Sequence, residues 1–287
     1  MATASNTRRP TVFVTGASAG IGAACVALGL SPTVAAVQTA QAKRPVRATT
    51  RSVDTPDFAR QVREQADTDR AWRQASAGVM RMEKILYRSP HGDLQIPAFV
   101  FQPLVTKGAH RHPALVWVHE DIRGHLYERH IPFIREAVAR GFIVIAPEYR
   151  GSIGYGKAFY DAIDYGGAEV DDVAGAVSVL KAEYPAVAPD AIGIIGWSHG
   201  GLITLLAAAR NPGMFRAAAA LVPVTNLFHR LARKGIDSQL KAIDPQHRFG
   251  GSPSERPDVY RYRSPLFHVD ELQLPLLVYV ADNDEDV

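Results

Sequence analysis

A serine flanked by glycines follows an apolar run in the second half of the sequence. The segment reads Ile194-Ile195-Gly196-Trp197-Ser198-His199-Gly200-Gly201. An apolar run that leads into Gly-x-Ser-x-Gly, followed at once by a helical pattern, is typical of a tight strand-to-helix turn that presents the serine hydroxyl above a sheet. Such a turn aims the backbone N–H of the next residue at a developing oxyanion. We therefore predict that Ser198 is a nucleophile and that the N–H of His199 is an oxyanion donor.

A serine nucleophile of this kind also needs a carboxylate and an imidazole, which follow the serine in that order along the chain. An apolar stretch at 276–280 predicts a strand, and the acidic run after it places the acid on Asp284, with Asp282 as the alternative. A carboxylate there would orient the imidazole and stabilise its protonated form.

No histidine follows that acid, because all ten lie between His91 and His268. We expect the catalytic histidine beyond Val287, and little activity from the chain as given, since an unassisted serine hydroxyl is a weak nucleophile. Inside the chain, we expect the His199 side chain in packing or hydrogen bonds, and His119 as a polar wall residue rather than a base.

The loop after the apolar stretch at 114–119 is expected to supply the second oxyanion donor, the backbone N–H of Asp121. The candidates for pocket lining are His119, Glu120, Tyr155 and Trp197. A plain solvated loop is the alternative for the charged residues of this segment, and a packed core position is the alternative for Tyr155.

The elements that must position these residues alternate along the chain. The sequence predicts one exposed helix at 57–76 and an opening β-hairpin at 85–101. Buried strands are predicted from the apolar runs at 114–119, 142–146, 192–195, 217–222 and 276–280. The residues Val170, Val173, Val177 and Leu180 form one apolar stripe of a helix. Strands that alternate with helices predict an α/β fold with a mostly parallel central sheet and helices on both faces, and ligands at the carboxyl ends of the strands.

Several further segments resemble the prolyl oligopeptidase family of serine peptidases. They are Glu148–Gly156 (EYRGSIGYG), Gly166–Val173 (GGAEVDDV), Pro223–Asn226 and Arg263–Pro265, and the similarity covers residues 82–287. The resemblance implies an α/β-hydrolase fold, attack on a peptide or ester carbonyl, and a last strand and helix beyond residue 287. The residues before the domain are too few for the β-propeller of many members. The pair His119-Glu120 is similar to dienelactone hydrolases, so a small peptide is the first expectation for the substrate and a carboxylic ester the alternative.

The first 45 residues support two interpretations. Thr15–Gly22 (TGASAGIG) after an apolar run is similar to the dinucleotide-binding turn of short-chain dehydrogenases, but no second strand ending in an acidic residue follows it. Arg8-Arg9, the apolar run at 11–30 and Ala40-Gln41-Ala42 fit an export signal better. We predict an export signal or a nonfunctional leader at 1–42, a polar, partly helical extension at 43–80 and a catalytic domain at 81–287. The expected location is periplasmic or secreted, with a cytoplasmic one as the alternative.

Composition narrows the possible partners. The net charge of +3 is spread along the chain without a basic block, which argues against nucleic-acid binding. The single cysteine, Cys25, excludes an internal disulfide, and no acidic or histidine cluster has metal-ligand spacing, so we expect no metal and no cofactor. No long apolar run lies past residue 50, so the body is not expected to span a membrane. The oligomeric state stays open.

Overall fold

The computed structural model describes residues 12–15, 56–233, 248–282 and 284. Most of the predicted leader at 1–42 and part of the extension at 43–80 therefore lie outside the described residues. The same holds for the paired arginines, for Ala40-Gln41-Ala42, and for the glycine-rich turn after its first residue.

Eight strands and seven α-helices of four or more residues are present in the described part of the chain. In chain order they are β1 (Val12–Thr15), α1 (Phe58–Ser76), β2 (Arg81–Arg88), β3 (Gln95–Gln102), β4 (His112–Val118), α2 (Ile131–Ala139), β5 (Ile143–Pro147), α3 (Gly156–Asp161), α4 (Ala168–Glu183), β6 (Val187–Trp197), α5 (His199–Arg210), β7 (Ala217–Leu221), α6 (Leu227–Arg233), α7 (Pro257–Tyr262) and β8 (Leu276–Tyr279). Two 3₁₀ segments, Glu128–His130 and Pro265–Glu271, complete the list.

All eight strands form one sheet in the order β1-β8-β7-β6-β4-β5-β3-β2. Only β3 runs against the others, because it pairs antiparallel with both β2 and β5. The prediction of a mostly parallel sheet is therefore confirmed. On the side of β8 away from β7, the strand that pairs with it is β1, in parallel. Among the described residues, no helix is both long and apolar enough to cross a bilayer.

Two apolar cores cover the two faces of the sheet, because successive strand residues point to opposite sides. On one face, Val116 and Ile194 pack with side chains of α4 and α5, such as Val173 and Leu206. On the other face, the core includes Leu115, Trp117 and Ile195 together with α1 and α2 residues. Helices thus lie on both faces, as the alternation of elements predicted.

Helix α1 begins after Asp57, whose side chain accepts a hydrogen bond from the backbone N–H of Arg60 (2.9 Å). The expectation of an exposed helix here is wrong for one face. Trp72 is completely buried, its Nε1 donates to the carbonyl of Leu126 (3.0 Å), and its ring lies 4.9 Å from that of Phe101. The buried face is otherwise polar, so hydropathy alone did not reveal it.

A buried ion pair fastens the loop after β5 to α4. The guanidinium of Arg150 donates to both carboxylate oxygens of Asp172 (2.7 and 2.8 Å), and the hydroxyl of Ser89 donates to the same carboxylate (2.5 Å). Asp172 is fully buried, and Arg150 also donates to the carbonyl of His91 (2.8 Å). The turn between β2 and β3, the loop after β5 and α4 are therefore joined at one point of the sheet's carboxyl edge.

Removing the carboxylate of this pair should destabilise the fold strongly. Asp172→Ala leaves the buried Arg150 without its counter-charge, at an expected cost of about 3–5 kcal/mol in the free energy of unfolding. The matched control is Asp171→Ala, whose half-exposed side chain lies 3.8 Å from His91 and should cost under about 1 kcal/mol. Urea denaturation of both variants measures the difference, and equal losses would contradict the structural role given to the pair.

Candidate active site

The Gly-x-Ser-x-Gly segment forms the turn between β6 and α5. Ser198 has φ 50° and ψ −114°, a backbone conformation that residues other than glycine rarely adopt. Its N–H donates to the carbonyl of Leu221 at the end of β7 (2.9 Å), and its own carbonyl accepts from Leu202 in the first turns of α5 (3.0 Å). Ser198 is half-buried, at the carboxyl end of a central strand. The structure therefore has the strand, turn and helix in the predicted order.

The glycines of this turn are required by close backbone contacts. A Cβ at Gly196 would lie 2.2 Å from the carbonyl oxygen of Gly200, and a Cβ at Gly200 would lie 2.4 Å from the carbonyl oxygen of His119. Contacts this short do not occur between real atoms, so a side chain at either position would force the backbone apart. The chain at the end of β4 thus lies directly against the serine turn.

Tyr149 holds the loop that begins there. Its hydroxyl contacts two carbonyl oxygens of the loop, those of His119 (3.2 Å) and Asp121 (2.9 Å). Asp121 itself has φ 67°, and its exposed carboxylate accepts from the hydroxyl of Tyr127 (2.8 Å). The sequence-predicted oxyanion residue Asp121 therefore lies in a fixed turn two residues from the backbone that touches Gly200.

The ring of His119 is buried and fully engaged. It stacks on Tyr149 with 4.2 Å between centroids, Nδ1 lies 2.8 Å from the carbonyl of Glu120, and Nε2 lies 3.0 Å from the hydroxyl of Ser152. Burial lowers the pKa of His119 to about 3, against the opposing effect of the Glu120 groups. The imidazole is thus neutral and a weak proton acceptor near pH 7.

Glu120 makes internal ion pairs rather than facing solvent. Its carboxylate accepts from Nε of Arg129 (2.6 Å) and from Nε2 of His130 (2.8 Å). Burial by itself would raise the pKa of Glu120, but its interactions with His130 and the positive charge of Arg129 outweigh burial and lower it to about 2. The solvated-loop alternative is therefore wrong for this side chain, which connects the loop to Arg129 and His130.

Two further candidates for pocket lining, Trp197 and Tyr155, pack against other aromatic side chains. The ring of Trp197 lies 5.0 Å from Trp117 and 6.1 Å from Phe133, on the α2 side of the sheet. Tyr155 packs against Phe159 (5.2 Å), and burial raises the pKa of its enclosed hydroxyl well above the usual range. For Tyr155 the structure favours the core alternative over a place at the pocket mouth.

Asp284 lies just past β8, at the same edge of the sheet as Ser198. It is half-buried, and its N–H donates to the carbonyl of Ala281 (3.3 Å), which closes a short turn. Asp282, the off-register alternative, is exposed. Since β8 is separated from β6 by β7 alone, the acidic turn is two strands away from the serine turn.

Sequence reasoning missed Glu148, a fully buried acid directly after β5. Its Oε1 accepts the backbone N–H of Leu126 (2.8 Å), while Oε2 has no hydrogen-bond partner among the described residues. Burial raises the pKa of Glu148 to about 8, against smaller opposing effects of the Leu126 N–H and Lys84. The one sequence signal was an acidic residue placed immediately after an entirely apolar strand. Glu148 therefore anchors the far end of the loop that carries Asp121.

Comparisons with known proteins agree with this architecture. The acylaminoacyl peptidase of Pyrococcus horikoshii superposes with a TM-score of 0.59 at 21% identity, over 71% of this chain and 32% of its own. The puromycin-hydrolysing peptidase of Mycobacterium tuberculosis gives a TM-score of 0.59 at 26% identity, over 69% and 30%. The sheet, its two helical layers and the serine turn thus define an α/β-hydrolase.

The family follows from the sequence comparison. The profile of the prolyl oligopeptidase family matches residues 131–287, more than half of the chain. The peptidase YtmA of Bacillus subtilis is 28% identical over 155 residues, 54% of this chain and 56% of YtmA. The peptidase YuxL of the same organism is 28% identical over 213 residues, 71% of this chain and 30% of YuxL. The chain belongs to the prolyl oligopeptidase family of peptidases, and it spans about half or less of these relatives.

The buried acid predicts a pH-dependent stability. The pKa of Glu148 in the folded state, about 8, exceeds that of an unfolded glutamic acid, so the folded protein binds the extra proton and loses stability as pH rises from about 4.5 to 8. Glu148→Gln has the same shape without the ionisation. We expect it to raise the melting temperature at pH 8 by at least about 2 °C and to leave it unchanged at pH 4.5.

The control for this experiment is Glu183→Gln, at the exposed end of α4. Its melting temperature should follow that of the wild type at both pH values. A Glu148→Gln variant that gains nothing at pH 8 would show that the carboxyl is ionised or solvated in the folded protein.

Proposed function

We propose that this protein is a serine-type peptidase that forms an acyl-enzyme on Ser198. The observation that supports the proposal is the backbone conformation of Ser198, held at the carboxyl end of β6 between two glycines that no other residue can replace without a clash. A strained turn of this kind is characteristic of an activated serine nucleophile. In the reaction, Oγ attacks the carbonyl carbon, the amine or alcohol leaves with a proton, and water then releases the acid.

The oxyanion of the tetrahedral intermediate would be bound by two backbone N–H groups. The first is that of His199, which begins α5 and so has no partner inside its own helix. The second is that of Asp121, in the loop that Tyr149 and Glu148 fix from its two ends. Amide hydrogens fixed before the reaction stabilise the developing charge without reorganisation, which is why rigid anchoring of this loop supports its role.

The remaining groups of the triad are Asp284 and a histidine. The half-buried turn after β8 supports Asp284 as the acid, because it lies on the sheet edge where Ser198 lies. Among the described histidines, His119 is held neutral and the His199 side chain is buried, so neither supports the role of general base. We propose that the histidine follows Val287 in the protein, in the chain order acid and then base.

A short peptide is the proposed substrate. The family is one of peptidases, and two structurally similar proteins are named for cleaving acylaminoacyl groups and for hydrolysing puromycin. The ester alternative was motivated by His119-Glu120, but the ion pairs of Glu120 with Arg129 and His130 leave its carboxylate without a free role in the pocket.

Substitution of the nucleophile tests the central assignment. In the protein expressed from the full reading frame, Ser198→Ala should lower kcat for an aminoacyl amide by about 10⁴- to 10⁶-fold. Ser178→Ala, an exposed serine of α4, should leave kcat unchanged. An unactivated alkyl ester assayed in parallel separates the two substrate classes, and hydrolysis of that ester without cleavage of any peptide amide tested would favour the esterase alternative.

The triad assignment has its own test. Asp284→Asn should lower kcat about 10⁴-fold, because an amide neither fixes the required imidazole tautomer nor stabilises the imidazolium. The exposed Asp282→Asn is the matched control and should retain most of the activity. If the 287-residue chain hydrolyses substrate as fast as a protein that includes the residues encoded after Val287, the base lies inside the chain and the proposal of a later histidine is wrong.

A further inference from the structure

A buried carboxylate contacts the side chain next to the proposed nucleophile. The ring of His199 is 3% exposed, and its Nε2 lies 2.7 Å from Oε1 of Glu169, which is completely buried. Neither ring nitrogen makes an aligned hydrogen bond to any described residue, so the approach of Nε2 to Oε1 of Glu169 is a close polar contact. Two ionisable groups kept out of water at this distance constrain each other strongly.

The backbone at the start of α4 fixes the position of Glu169. It lies in the first turn of α4, near the positive end of the helix dipole. Its Oε1 also accepts the backbone N–H of Gly166 (2.8 Å). The carboxyl group of Glu169 is therefore fixed to the start of α4. The His199 imidazole contacts a group that belongs to a different element from the serine turn.

Two tyrosines enclose the same imidazole. Tyr165 stacks on it with 4.5 Å between centroids and 23° between planes, and Tyr149 lies 6.0 Å away. Burial raises the pKa of Tyr165 to about 12 and raises the pKa of Tyr149 well above its usual value, so both hydroxyls keep their protons. Tyr149 is also the residue that bonds to the carbonyls of His119 and Asp121. The ring of His199 thus connects the two sides of the proposed oxyanion site.

We propose that Glu169 is a positioning residue for the oxyanion site. It holds the His199 ring, which sets the direction of the His199 backbone N–H and supports Tyr149 against the loop of Asp121. This proposal rests on the serine peptidase function proposed above. Because misdirected oxyanion donors weaken binding of the transition state more than binding of the substrate, the effect falls on kcat rather than on KM.

The first test replaces the charge and keeps the shape. Glu169→Gln in the full-length protein should lower kcat by about 10- to 100-fold, less than the loss of a whole donor, with KM changed by less than about twofold. Glu183→Gln, in the exposed last turn of the same helix, should leave both constants unchanged. An unchanged kcat in Glu169→Gln, or a loss carried by KM alone, would overturn the proposal.

A double-mutant cycle shows whether Glu169 acts through the imidazole. If it does, the variant that combines Glu169→Gln with His199→Gln should have the same kcat as the less active of the two single variants, because both substitutions break the same contact. Losses that multiply would mean that the two side chains act independently, which would also overturn the proposal.

A spectroscopic readout keeps the proposal testable if a variant does not fold. In the wild-type 287-residue chain, ¹⁵N NMR of the His199 imidazole should show a proton on Nε2, the nitrogen that faces Glu169. A bare Nε2 would overturn the contact whatever the activity. Conversely, a full-length wild type that hydrolyses neither amide nor ester removes the proposed function and this role with it, whereas an active wild type with a fully active Glu169→Gln variant removes this role alone.

Discussion

The backbone of Ser198 is held in a conformation that costs about 1–3 kcal/mol, and the packing around it supplies the restraint. The strain persists because the turn is bonded to β7 through Leu221 and to α5 through Leu202, while Gly196 and Gly200 let the neighbouring backbones approach. The end of β4 closes against Gly200 from the other side. Three adjacent elements of the sheet layer therefore fix the backbone of one residue.

Three fully buried carboxyl groups occupy the same edge of the sheet, and each ties down a different segment. Asp172 binds the loop after β5 through Arg150, Glu148 binds the loop after β4 through a backbone N–H, and Glu169 contacts the imidazole of His199. Burying a carboxyl group is unfavourable unless it finds partners or a proton. The three carboxyl groups meet this requirement in different ways: Asp172 by an ion pair, Glu148 by a raised pKa and Glu169 by a close contact with an imidazole.

The sequence predicted the sheet and the serine turn at its carboxyl edge because those features depend on local patterns. Apolar runs marked the strands, and the glycines around Ser198 marked the turn. The partners of Glu148 and Glu169 were not predictable, since each contact joins segments distant in the chain or depends on which way a side chain turns in the core. The buried face of α1 was missed because it is mostly polar apart from Trp72. The place of Tyr155 could not be predicted for a different reason, because periodicity does not distinguish a residue of a pocket wall from one in a packed layer.

Identification of the residue that carries a covalent label tests the central claim most directly. Trypsin releases residues 182–210 as one peptide, and Ser198 is its single serine. After the full-length protein reacts with a fluorophosphonate, tandem mass spectrometry should find the phosphonyl group on this peptide, at Ser198, in proportion to the activity lost. An inactivated protein whose label lies on another peptide, with residues 182–210 unmodified, would contradict the assignment of the nucleophile.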